Sequence, residues 1–65
     1  MDKKIHILIA KVHLDIAEDM HEKFKRASGN DSKVAYRTVA AQNYFYAGIS
    51  LIEAKLAELE MHSYS

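Results

Sequence analysis

The sequence has no cysteine and no proline, and its only glycines are Gly29 and Gly48. Without cysteine there is neither a disulfide nor a thiolate metal site, and the composition fits a reducing compartment. Charge of one sign is also lacking: nine basic residues balance nine acidic ones. That balance argues against strong nonspecific nucleic-acid binding, which rests on a basic excess. No long apolar run is present either. Ile5-His6-Ile7-Leu8-Ile9-Ala10 is broken by His6 and followed by Lys11 and His13. It is too short and too polar for a signal peptide or a membrane span. A cytoplasmic location, with neither membrane nor nucleic acid as a partner, is the resulting expectation.

What the chain does have is apolar surface, since 49% of its 65 residues are hydrophobic. Below roughly 70–80 residues one core rarely supplies more than about 3–5 kcal/mol, so small chains use disulfides, metals or oligomerisation as staples. Oligomerisation remains, and a homodimer or higher homo-oligomer is expected.

Ser28-Gly29-Asn30-Asp31-Ser32 is the clear punctuation. Gly29 suits the left-handed residue that closes a helix, and Asp31 or Ser32 suits the next N-cap. The spacing predicts one all-α domain over residues 1–65, with helix 1 at about 3–28, a turn at 29–31 and helix 2 at about 32–61. A connection this short makes the helices antiparallel neighbours. The predicted fold is a two-helix hairpin that dimerises into a four-helix bundle.

Helix 1 carries an apolar stripe at Ile5, Ile9, Val12, Ile16, Met20, Phe24 and Ala27. Ile7 and Leu14 point away from it. Helix 2 carries Val34, Thr38, Ala41, Phe45, Gly48/Ile49, Ile52, Leu56 and Leu59 at the alternating spacing of a seam. These two stripes are expected to face each other, with Met20 meeting Ala41, Ile16 near Phe45 and Ile9 near Ile52. Met20, Phe45, Ile49, Ile52 and Leu56 are the predicted core.

On the opposite side of helix 2, Ala40, Ala47 and Ala54 recur every seventh residue, flanked by Tyr36, Tyr44 and Leu51. Alanine is simply a good helix former, but the accompanying tyrosines and Leu51 point to burial. Tyr36, Ala40, Tyr44, Ala47, Leu51 and Ala54 are therefore the predicted interface with a second chain. Small residues there would let a neighbouring helix approach closely. Lys3 and Lys4 at the start of helix 1, and Glu58 and Glu60 at the end of helix 2, each oppose their own helix dipole. An antiparallel hairpin sets the two pairs side by side and offsets the conflict.

Chemistry-bearing groups are sparse. Glu18-Asp19-Met20-His21 has the Glu-x-x-His form used by di-iron bundles, and Glu53 could add a carboxylate. Glu18 lies almost opposite the Ile9–Ile16–Met20 stripe, however, and ligands of this type must point inward. His6 and His13 border the stripe, where a pH-sensitive contact and an ordinary boundary position are both open readings. Lys23, Lys25, Arg26, Lys33 and Arg37 gather at the turn and are the candidate phosphate or nucleic-acid contact. Glu22 and Asp31 dilute that cluster, and a solvated helix end is the plainer reading. Ser28, Ser32 and Ser50 have no nucleophile context. The tyrosines, including Tyr64 near the tail, read as packing groups rather than a base-stacking platform. No catalytic, cofactor or metal residue is assigned.

The segment Ala35-Tyr36-Arg37-Thr38-Val39-Ala40-Ala41-Gln42-Asn43-Tyr44-Phe45-Tyr46-Ala47 resembles the second helix of HEPN-type proteins. Arg37 matches an arginine near the start of that helix, and Tyr44-Phe45-Tyr46-Ala47 its paired aromatics and small residues. The resemblance spans about residues 10–60 and rests on motifs general to helical hairpins. It implies the hairpin core and dimerisation. Active family members carry an Arg-x(4–6)-His motif on a later helix. Neither Arg26 nor Arg37 has such a histidine, and the chain given stops at Met61-His62-Ser63-Tyr64-Ser65 before that helix could begin. The expectation is a noncatalytic helical interaction or regulatory protein acting as a homo-oligomer with a possible protein partner. The alternatives are part of a HEPN-like ribonuclease, and a weak nucleic-acid binder using the turn.

Overall fold

A computed structural model of the chain describes residues 2–63, with side chains through residue 60. Tyr64, expected in the tail, lies outside the described residues. Helix α1 spans Lys3–Arg26 and helix α2 spans Asn30–Ser63.

Helix α1 starts at Asp2, whose carboxylate accepts the Ile5 N–H at 3.1 Å and satisfies an orphan donor of the first turn. The helix stops at Arg26, short of the expected residue 28, because Ala27 turns to extended backbone at φ −68° and ψ 138°. The expected left-handed closure at Gly29 is absent, since no described residue has positive φ. Instead the Gly29 carbonyl accepts the Lys33 N–H at 2.9 Å, so Gly29 takes the cap position ahead of α2. Asp31 and Ser32, the expected caps, lie inside the first turn, where Asp31 faces the positive end of the helix dipole. Lys33 ties the two ends together. Its Nζ donates to the Phe24 carbonyl at 3.2 Å and sits 5.1 Å from the centre of the Phe24 ring.

The helices run antiparallel along their whole common length. Lys3 Nζ lies 3.3 Å from Glu58 Oε2, so the basic start of α1 and the acidic end of α2 offset each other as the sequence suggests. His6 Nδ1 lies 3.9 Å from Glu53 Oε2, and His13 Nδ1 lies 3.0 Å from Asn43 Oδ1. The result is a rod of 55 × 13 × 13 Å. Its radius of gyration of 15.4 Å compares with about 11 Å for a compact domain of this length.

The seam between the helices is made of small residues. Ala10 and Ala17 of α1 and Ala40, Ala47, Ser50 and Ala54 of α2 are buried. Among the described residues no large side chain is fully buried. Both helices place alanine at heptad spacing on the same side, which lets two rods joined by a tight connection lie close together. Ile7, Ile9, His13, Leu14, Met20, Phe24, Tyr36 and Asn43 flank this strip and are half-buried.

Candidate interaction surface

The stripes expected to form the hairpin core instead face outward. On α2, Phe45 is 66% exposed and Ile52 61%, and Val34, Ile49 and Leu56 are exposed with them. On α1, Ile5, Val12 and Ile16 are exposed, while Ile9, Met20 and Phe24 are half-buried. Helical geometry explains the sidedness. At 100° per residue, Phe45, Ile49, Ile52 and Leu56 lie diametrically opposite Ala40, Ala47 and Ala54. Helix α1 covers the alanine side, so the bulky side is left outside.

The residues expected to meet a second chain therefore divide. Ala40, Ala47 and Ala54 pack inside the hairpin, and Ala47 is only 2% exposed. Their assignment to an outer contact is corrected: the helix that exploits the small side chains is α1 of the same chain. Tyr36 is half-buried at the same seam. Tyr44 and Leu51, on one edge of it, are exposed. Sequence reasoning passed over Ala10 and Ala17. Their seven-residue interval, equal to that of Ala40, Ala47 and Ala54, is the signal that pairs the two alanine strips.

Polar groups are ordered along one side of the seam. Asn43 Nδ2 donates to the Val39 carbonyl at 2.9 Å, which leaves Oδ1 turned toward His13. A carbonyl oxygen only accepts, so His13 Nδ1 carries the proton of that bond. The His13 ring also lies 5.4 Å from that of Tyr46. His6, Glu53, Leu56, Ala57 and Glu60 line a shallow open groove nearby.

The basic turn cluster is largely engaged within the chain. Lys23 pairs with Asp19 at 3.3 Å, Lys25 with Glu22 at 3.2 Å, and Lys33 is held on Phe24. Arg26 and Arg37 are exposed. Glu18 and His21 are exposed, with the His21 ring stacked 6.0 Å from that of Phe24. Among the described residues no three His, Asp or Glu groups converge as metal ligands would. No described helix is long and apolar enough to cross a membrane.

No protein-family model, curated protein or solved structure matches this chain. The functional reading therefore rests on the surface itself. That surface is dominated by bulky apolar side chains on the outer side of α2 and along one side of α1.

Proposed function

We propose that this chain is a helical interaction module that works as a homo-oligomer, its outer apolar stripes forming the contact between copies. One observation carries the reading: alanines occupy the inside of the hairpin while Phe45, Ile49, Ile52 and Leu56 stand outside. Burying a leucine, isoleucine or phenylalanine side chain is worth about 1.5–3 kcal/mol, against roughly 0.8 kcal/mol per methyl-sized group. The side chains with the most to gain from burial are those the hairpin leaves wet. An isolated two-helix rod of this size is a poor candidate for independent stability.

Area supports the same reading. The rod exposes 5006 Å², while a compact monomer of 7.4 kDa exposes about 4,200 Å². The excess of roughly 800 Å² matches one partner's share of a standard protein–protein interface. A four-helix bundle of two hairpins is one arrangement that would use it. The assembled rod would then offer its charged α1 side, with Lys11, Asp15, Glu18 and Asp19, to further partners.

Light scattering over a concentration series tests this. The expected result is a mass of two or more chains at micromolar concentration, with Ile52→Asp shifting the chain to monomer. A helical, cooperatively melting monomer at every concentration would overturn the proposal.

A further inference from the structure

We infer that two copies pair through α2 in parallel and in register, about a two-fold axis running along the helices. This rests on the homo-oligomer reading above and adds the contact and its direction.

The contact stripe is Phe45, Ile49, Ile52 and Leu56, whose spacing of four, three and four residues is that of a coiled-coil seam. Its first three members lie within the longest uncharged stretch of α2, since no residue from Thr38 to Ile52 is charged. Charges return at its edges, and they are sorted. Glu53 and Glu60 fall on one edge of the stripe, Arg37 and Lys55 on the other.

That sorting favours one direction. Packed face to face in antiparallel about the middle of the stripe, two helices set Lys55 and Glu60 against the uncharged stretch of the other copy, where they find no partner. Turned about an axis along the helices, they bring each acidic edge against the other copy's basic edge. Lys55 and Glu60 are five residues apart, the offset at which flanking positions of successive heptads pair across a parallel two-stranded seam. The charged ends of Lys55 and Glu53 are well exposed, with 66% and 52% of their side-chain surface open. Gln42, one heptad before Ile49, would meet its own copy across the axis. A polar pair inside an apolar seam is a known way to hold register.

A second copy as the occupant also fits the surplus area, which is one partner's share of a standard interface. The α2 stripe is also open, with Phe45, Ile49, Ile52 and Leu56 all exposed, and α1 borders it only where His6 reaches the groove beside Leu56.

The chain contains no cysteine, so single-cysteine variants report their own neighbours without background. Phe45→Cys and Leu56→Cys sit about 16 Å apart along the helix axis. A disulfide needs Cα atoms within roughly 7 Å. In the parallel, in-register pair each variant crosslinks to itself on oxidation. No antiparallel pairing brings both positions to their mates. The expected result is efficient disulfide dimer from both variants. Only one variant crosslinking, or neither, in a chain that scattering shows to be dimeric overturns the inference and leaves the homo-oligomer reading standing. A monomeric chain removes both. As a second measurement on exposed residues, Lys55→Glu and Glu60→Lys should each weaken association about tenfold at low salt. The double swap should restore it. No recovery in the double variant counts against the parallel edge pairing.

Discussion

The two sides of α2 differ in size rather than in polarity. The inner side presents Ala40, Ala47 and Ala54, and the outer side Phe45, Ile49, Ile52 and Leu56. Both are apolar, yet the hairpin buries the one with less to gain per residue. What the inner side offers is proximity. Methyl groups let the backbones approach, and the larger residues at the margins, Phe24, Met20 and Tyr36, then close over the seam. The outer side offers area, which suits a partner not constrained by a short connection. Helix α1 differs in being mixed on its far side, where Lys11, Asp15 and Asp19 stand among the exposed Leu8 and Val12. Helix α2 has no comparable polar side through its middle.

The comparison breaks most directly at Ala47. Replacing it with glutamate puts an unpaired charge into the seam and should cost about 3–5 kcal/mol. Loss of the helical circular-dichroism signal at room temperature is the expected outcome. An unchanged melt would mean that the alanine side is not the buried one.

The tie between the helix ends comes next. Lys33→Met removes the charged bond to the Phe24 carbonyl and the contact with the Phe24 ring, and should destabilise by about 1–2 kcal/mol in denaturant titration. Lys25→Met, which breaks only an exposed pair one turn apart, should stay within about 0.5 kcal/mol and serves as the reference.

Gly48 tests the outer side in the opposite direction. It lies within α2 beside Ile49 and Ile52, and a Cβ built there meets nothing within 4 Å. Gly48→Ala should stabilise by about 0.8–1 kcal/mol, since it removes the backbone entropy cost of glycine in a helix. A loss of stability instead would mean that the partner chain packs directly on the Gly48 backbone, closer than a position flanking the parallel seam allows.

The smallest effect belongs to the far end. A double-mutant cycle on Lys3 and Glu58, 3.3 Å apart, should give a coupling of no more than about 1 kcal/mol. Its use is to confirm the antiparallel register in solution.

Much of the hairpin is legible in the residues. The break around Gly29, the long periodic stretches and the opposed charges at Lys3 and Glu58 predict two antiparallel helices, and these are present. The cap at Asp2 was not among the expected features and comes from the structure, where its carboxylate accepts the Ile5 N–H. The candidate surface was legible only as a choice between two stripes. Periodicity identifies Phe45–Ile49–Ile52–Leu56 and Ala40–Ala47–Ala54 as separate faces, but hydrophobic content favours the first as the core. That weighting fails where two rods joined by Ala27, Ser28 and Gly29 must lie side by side. The tie at the turn was not legible either, because Lys33 is nine residues from Phe24 in sequence and reaches it only once the chain reverses.

By itself the sequence determined the two helices, their antiparallel order and the presence of more apolar surface than one small chain can hide. Those follow from local backbone preferences, from a 3.6-residue period and from composition. Which stripe turns inward was decided only by the tertiary structure. Close packing depends on matching small residues on two different helices, Ala10 and Ala17 with Ala40, Ala47 and Ala54, and no single helix carries that information.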